Sequence, residues 1–298
     1  SMIINRANLE TAFKGFKSVY NEAFAGAPSH IDTVAMRVGS GSAEEEYGWL
    51  GQFPSLREWI GDRVVNGMKG HGFKIKNRKF ESTVSVRRDD LSDDRFGVYK
   101  PLFSEMGRVT KQHPDTLAFA LLTAGFAETC FDGQPYFDAD HPQESDQSAA
   151  TEMVSNMQAG TGPAWFLLDC SRGVKPIVFQ ERETYEFQSV TDGHDHNVFM
   201  TDEYLYGIRA RVNVGFGLWQ LAFGSKAGLT AANYAAARAA MMDFRGDRGH
   251  LLGITPTHLV VPPALEVEAR TLLGSDVIDG SSNVWKGTAQ LIITPYAA

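Results

Sequence analysis

Residues 101–142, "PLFSEMGRVTKQHPDTLAFALLTAGFAETCFDGQPYFDADHP", hold the strongest helix signal in the chain and, directly after it, its most chemical-looking segment. Pro101 to Glu128 reads as helical. Pro114 suits a first helical position with Asp115 beside it, and Leu117, Phe119, Leu121, Leu122 and Phe126 then supply a wide apolar face. From Cys130 to Pro142 the chain gathers one cysteine, Asp132, Asp138, Asp140 and His141, with Glu144 and Asp146 just beyond. Whether that span is a reaction centre or a turn decides whether the long helix serves an enzyme or an architecture.

As a calcium loop the span fails. Counting from Asp132 or Asp138 brings Gln143 or Ala149 to the twelfth position, where a glutamate is required. As a zinc site it offers Cys130 and His141 alone, short of the usual paired spacing. The pairs Asp132-Gly133 and Gln134-Pro135 explain the polarity as turn chemistry. His194 and His196 form an H-x-H that a strand would place on one face, yet no third ligand is near in sequence, so a solvated loop is the plainer reading.

Three further motifs fall short. "DCSRG" (169–173) nearly matches the G-x-S-x-G nucleophile elbow, but Asp169 replaces the first glycine and Pro176 obstructs the helix that must follow. "GSGSAE" (39–44) sets Glu44 where a dinucleotide fingerprint needs its third glycine, and it lacks the P-loop lysine; it reads as a flexible joint. The basic run Lys74, Lys76, Arg78, Lys79, Arg87 and Arg88 is cancelled by Asp89, Asp90, Asp93 and Asp94, leaving a charged surface or salt bridges to another subunit. No motif assigns a catalytic residue, a metal ligand or a cofactor.

Periodicity organises the rest. Residues 2–24 read as a helix whose stripe of Leu9, Phe13, Phe16, Tyr20 and Phe24 must find a partner or stay exposed. A short strand with Val34, Met36 and Val38 precedes an aromatic cluster of Tyr47, Trp49, Phe53 and Trp59. In "HGFKIKNRKFESTVSVRRDDL" (71–91) the apolar positions switch from Phe73 and Ile75 to Phe80, Val84 and Val86, which calls for a turn near Asn77 and a long projecting hairpin. Residues 143–162 are polar and Gly/Ser-rich, a flexible loop.

Strands then dominate, in "AWFLLDC", "VKPIVFQE", "YEFQSV" and "LYGIRARVNVGFGLWQLAFG". An Ala-rich helix capped by Thr230, with a Leu229–Tyr234 staple, follows. Next come a strand in "THLVVPP", a helix in "ALEVEARTLLG" closed by its glycine, and a final strand in "TAQLIITPY". This order is α+β and not a regular βαβ repeat.

The 298 residues carry a net charge of −8, with 43% hydrophobic and 21% charged residues, which fits one large globular domain or two intertwined ones. The sign is wrong for a protein whose main task is gripping phosphate backbones. Two cysteines, Cys130 and Cys170, suit a reducing compartment. No apolar run approaches the roughly 18 residues that span a bilayer, and "SMIINRANLE" lacks a signal-peptide core. A soluble intracellular protein with no membrane partner is expected; Ser1 ahead of Met2 reads as a residue left by tag cleavage.

Six stretches together resemble the Mu-like phage and prophage major head subunit: "YGWLGQFPSLREW" (47–59), "RDDLSDD" (88–94), "CFDGQPYFDADHP" (130–142), "LLDCSRGVKPIVFQER" (167–182), "WQLA" (219–222) and "PTHLVVPP" (256–263). They run in the family's order over nearly the whole chain, and residues 143–162 depart from it. The resemblance implies the tailed-phage capsid fold of the Hong Kong 97 type. That means an N-terminal arm at 1–35, an extended hairpin loop at 36–86 and a peripheral domain with the spine helix at 87–163. An axial domain at 164–275 and a return to the peripheral domain at 276–298 complete it.

It also implies a structural, non-enzymatic subunit that self-assembles into pentamers and hexamers, forming an icosahedral shell around phage DNA. No cofactor and no sequence-specific DNA binding are implied. Partners would be further copies together with scaffolding, portal and decoration proteins, in a virion capsid assembled in the bacterial host cytoplasm. Ring contacts are heterologous, so arm and hairpin would each meet a different patch of a neighbour. In this setting residues 130–142 turn the chain out of the spine helix, anchored by Phe131, Tyr136 and Phe137, while the aspartates and His141 stay hydrated or cap backbone. The alternative is a metal-assisted hydrolase built on Asp138, Asp140, His141, His194 and His196. A phage protease or tail component is a third reading.

Overall fold

The computed structural model describes residues 3–56, 60, 61, 72–144 and 150–298. Helix α1 (Arg6–Gly26) opens the chain, started by the Asn5 side chain accepting from the Asn8 backbone N–H at 2.9 Å. A single turn, α2 (Ile31–Val34), leads into β1 (Ala35–Gly39), β2 (Glu44–Glu46), β3 (Lys74–Lys76), β4 (Arg78–Arg87) and the short α3 (Arg88–Ser92). The long α4 (Phe96–Ala124) is followed by β5 (His141–Glu144), β6 (Thr151–Val154), β7 (Met157–Gln158) and β8 (Trp165–Leu168). Two long strands, β9 (Ile177–Val190) and β10 (Glu203–Phe216), flank α5 (His196–Thr201). Then come β11 (Ala222–Ser225), α6 (Ala231–Met242), β12 (His258–Val261), α7 (Glu266–Gly274), the tight pair β13 (Val277–Ile278) and β14 (Ser281–Ser282), and β15 (Gln290–Ile293).

Two sheets carry the fold. One has the order β1-β9-β10-β4, with β1 parallel to β9 and the rest antiparallel. "VKPIVFQE" and "YEFQSV", expected as separate strands, merge in β9, and register shifts on β10 between Arg209 and Val212 absorb the twist. The other sheet has the order β15-β12-β8-β11-β7, and β8 at its centre is buried along its whole length. The Thr230 cap is present, its Oγ1 accepting from Asn233 N at 3.2 Å, and Leu229 and Tyr234 are both buried. Gly274 is the last residue of α7, with Ser275 as the cap.

Helix α4 runs 29 residues, straight through Pro101 and Pro114. Pro114 is therefore interior and not a helix start. Its missing N–H forfeits a backbone bond that tertiary packing offsets, because Phe103, Phe119 and Leu122 are all fully buried. Asp115 turns away from its own helix and accepts from Ser29 Oγ at 2.5 Å, His30 N at 2.8 Å and Ile31 N at 3.1 Å, which caps α2. Residues before Pro114 (Phe103, Met106) pack into one hydrophobic core with α1 and the distal ends of β4, β9 and β10. Residues after it (Ala118, Phe119, Leu122) pack into the other, around the five-stranded sheet.

The α1 stripe, expected to reach for a neighbouring chain, packs within this one: Phe16 and Tyr20 are buried, and Leu9, Phe13 and Phe24 lie half-buried against the same core. Phe16 stacks on Phe103 at 4.3 Å and meets Tyr206 edge-on at 5.2 Å. The helices cross at Gly107, where a Cβ would lie 2.3 Å from the Tyr20 carbonyl oxygen.

Asn77 does mark a break, but the strands around it do not form a hairpin with each other. β3 pairs antiparallel with β2, and β4 pairs antiparallel with β10 along its full ten residues. Ile75 fills the space over Gly215, whereas Val84 and Val86 face the α1–α4 pair. The change of face is a change of partner. Within 143–162, β6 pairs with β5 and β7 with β11, so the segment is more ordered than a flexible loop; residues 145–149 lie outside the described residues, as does Trp59. The last strand, β15, joins the five-stranded sheet beside β12, and it is Tyr296 beyond it that returns to the spine, its hydroxyl donating to Gln112 Oε1 at 3.1 Å.

Candidate functional site: a buried loop cluster and an exposed apolar surface

Beyond α4 the chain folds back on itself, with Tyr136 N donating to Glu128 O at 3.0 Å and Phe137 N to Gly125 O at 2.9 Å. Tyr136 and Phe137 are buried anchors, as expected; Tyr136 stacks on Phe216 at 4.2 Å and its hydroxyl donates to the Pro176 carbonyl at 2.8 Å. Buried Asn156 locks the loop from the far side, accepting from Asp138 N and donating to the Tyr136 carbonyl, both at 2.8 Å.

Inside this loop Cys130, Asp132 and His141 converge. His141 Nδ1 lies 2.7 Å from Asp132 Oδ2, and the Cys130 thiol donates to Asp132 Oδ1 at 3.1 Å. The second ring nitrogen, Nε2, faces the Tyr136 carbonyl at 3.2 Å. The His141 imidazole lies flat on Trp219, centroids 4.1 Å apart and planes within 6°. His141 is therefore not hydrated: it is fully buried, with Trp219 against its ring, and of the two expected roles it keeps the one toward backbone, through the Tyr136 carbonyl. Burial alone would raise the Asp132 carboxyl, but the bond to His141 and its charge outweigh that and hold it below the usual range. Burial, helped by the Asp132 charge, pushes the Cys130 thiol far up, which makes it a poor nucleophile.

The hydrolase arrangement does not assemble. Among the described residues, the His/Cys/Asp/Glu group whose donor atoms all lie within 4.8 Å of one another is Cys130, Asp132 and His141, without Asp138, Asp140, His194 or His196. Asp140 is exposed, its carboxyl raised by hydrogen bonding and charge from Asp138. His194 sits in an exposed turn and His196 opens α5, so neither is on a strand. Ser171 donates to buried Asp169 at 2.6 Å, which organises a turn and activates nothing. In the 39–46 segment Glu45 Oε1 accepts from Gly41 N at 2.7 Å, Ser42 N at 3.1 Å and Ser40 Oγ at 2.9 Å. The chain thus fills its own anion cradle, and these bonds, Ser40's foremost, lower the Glu45 carboxyl. Half of the basic run is paired within the chain: Lys74 with Glu44 at 3.2 Å, Arg87 with Asp89 at 3.9 Å and Arg88 with Asp202 at 3.7 Å.

What the surface displays is apolar. Phe199 and Met200 on α5 are 77% and 66% exposed, Val98, Leu102 and Val109 line the outer face of α4, and Val277 and Val284 flank the β13–β14 turn. Such side chains suit contacts between subunits better than chemistry.

The sequence profile of the Mu-like prophage major head subunit gpT matches residues 9–297. The chain belongs to that family. The major capsid protein of Escherichia phage Mu is 40% identical to this head subunit over 304 residues, covering 99% of the chain and all of the relative. The Mu-like prophage FluMu major head subunit of Haemophilus influenzae (strain ATCC 51907 / DSM 11121 / KW20 / Rd) is 44% identical over 271 residues, covering 89% of the chain and 88% of the relative. Among solved structures, the procapsid of bacteriophage JBD30 superposes with a TM-score of 0.88 at 44% identity, covering 98% of the chain and all of that one. The JBD30 capsid decorated with minor capsid protein trimers superposes at 0.77 with 33% identity, covering 92% of each. The head subunit has the Hong Kong 97-type fold and is a structural capsid protein, not an enzyme.

The pairing of Asp132 and His141 is not legible in the sequence. Nine residues apart across an irregular loop, they carry no periodic signal; the unusual crowding of titratable groups around Asp-Gly was the only hint.

Proposed function

We propose that the subunit assembles into pentamers and hexamers that close as an icosahedral shell around phage DNA, built in the bacterial host cytoplasm. The observation that carries this is the superposition over essentially the whole chain on a subunit of an assembled procapsid. Scaffolding and portal proteins would direct closure, and a decoration protein would bind the outer surface, a reading supported by the decorated JBD30 shell. Many modest contacts repeated around a closed shell give large collective stability without any strong pairwise bond.

Within the shell the subunit divides as arm (1–35), whose helix α1 lies back on α4 of its own subunit, extended loop (36–86), peripheral unit (87–163), axial unit (164–275) and returning end (276–298). The β2–β3 ribbon closes the base of the extended loop, and the five-stranded sheet with α6 and α7 supports the axial unit. β9 and β10 straddle the division, since they also cover α4. Electron microscopy of the purified chain concentrated under crowding tests the reading: rings, sheets or shells are expected. A strictly monomeric protein under all such conditions would refute it.

A further inference from the structure

We propose that Cys130, Asp132 and His141 bind one divalent transition-metal ion of borderline softness, of which zinc is the best-fitting example. A sulfur, a carboxylate oxygen and an imidazole nitrogen from a single loop converge within 4.8 Å of one another, and Cys130 and His141 are shielded from water. Thiolate and imidazole donors favour zinc-like ions over magnesium or calcium, which take oxygen ligands.

The hydrogen inventory of the cluster is compatible with this. The Tyr136 carbonyl can only accept, so its 3.2 Å contact assigns a hydrogen to His141 Nε2. His141 Nδ1 faces Asp132 Oδ2 at 2.7 Å, and the Cys130 sulfur lies 3.1 Å from the other carboxylate oxygen, which also accepts from Gln134 N. Without a metal, protons on the ring and the sulfur make these contacts. A single metal ion would take the place of those protons and draw all three donor atoms to one centre. A ligating histidine whose outer N–H is held by a backbone carbonyl is the usual second layer of a metal site. Trp219, flat against the ring, fixes its plane.

Zinc bonds of about 2.0–2.3 Å require the three donors to stand somewhat further apart than they do here. Asp132 has room for that movement, because it lines a cavity of about 210 Å³ shared with Gln220, Glu144 and Arg245, which also offers space for a water as fourth ligand. Binding displaces to solvent the thiol proton and any proton held on His141 Nδ1. The ion would staple the loop leaving α4 to the Trp219 turn. It is a structural role, not a catalytic one.

The test uses the full chain, stripped with a chelator and titrated with Co²⁺. One equivalent should bind with a thiolate-to-cobalt charge-transfer band, and one equivalent of Zn²⁺ should erase that band. Cys130→Ser should lose the band and Cys170→Ser should keep it. The thermal midpoint of the stripped protein should rise by about 5 °C with free zinc a hundredfold above its Kd. A folded, stripped wild-type chain that takes up no cobalt overturns the proposal whether or not the variants fold, and a band that survives in Cys130→Ser overturns it as well. Either result would leave the cluster as a proton-linked hydrogen-bond network.

Discussion

Replacing Phe16 with alanine tests whether the first helix belongs to the subunit's own core or waits for a neighbour. Phe16 is 1% exposed, stacks on Phe103 at 4.3 Å, and touches Phe96 at 5.8 Å and Tyr206 at 5.2 Å. Removing a ring so enclosed costs the transfer of its apolar surface plus the cavity left behind, about 3–5 kcal/mol. The four-ring cluster cannot collapse into the gap, because α1 is held at a fixed distance by the Gly107 crossing. For a chain of this size the loss corresponds to a fall of roughly 6–10 °C in the unfolding midpoint. The measurement is thermal and urea unfolding of the unassembled subunit followed by near-ultraviolet circular dichroism. Lys14→Ala on the exposed side of α1 serves as the control, expected to change stability by less than about 0.5 kcal/mol. A loss below about 1 kcal/mol for Phe16→Ala would mean that α1 is not seated on α4 in the free subunit, and the first helix would revert to an arm that needs a neighbour.

Other perturbations have equally definite outcomes. Gly107→Ala would push a methyl against the Tyr20 carbonyl, and since backbone cannot yield as a side chain does, a loss of about 1–3 kcal/mol in urea unfolding is expected. Asp115→Ala strands Ser29 and the His30 and Ile31 N–H groups, with an expected cost of about 2–4 kcal/mol and faster amide exchange at residues 30–31. His113 bonds Tyr185 through Nδ1 at 2.6 Å and packs edge-on against Phe80, and burial, with Arg78 adding, holds its imidazole below the ordinary value of 6.5. A histidine lowered in this way binds its proton better unfolded, so its contribution is complete above pH 6.5 and is lost as pH falls through and below that value. His113→Gln should therefore flatten the pH dependence of stability on the acid side of neutrality; an unchanged slope would count against the assignment.

Elements governed by local chemistry were readable from residues alone: the α1 stripe, the Thr230 cap, the break at Asn77 and the aromatic anchors Tyr136 and Phe137. What escaped depends on partners distant in sequence. A period-two pattern shows that β3 and β4 present different faces but not that β2 and β10 receive them. Pro114 looks like a start because local energetics disfavour an interior proline, and only packing on two cores reverses that preference. His141 looked hydrated because nothing within the stretch 130–142 reveals that Trp219 will lie on its ring. The six family stretches carried the architecture, and the arrangement of contacts within the subunit was invisible to them.

Helix α4 is a beam shared by two packed bodies, and Pro114 falls at the point where one body's grip ends and the other's begins. A helix missing one rung of its hydrogen-bond ladder is least stiff there. A torque delivered to one body would therefore be taken up as bending over a single turn, leaving the packing on both sides undistorted. Pro101 also lacks its N–H, but it lies wholly within the first body's grip, so in a closed lattice of such subunits the joint at Pro114 is where a change of curvature would be taken up.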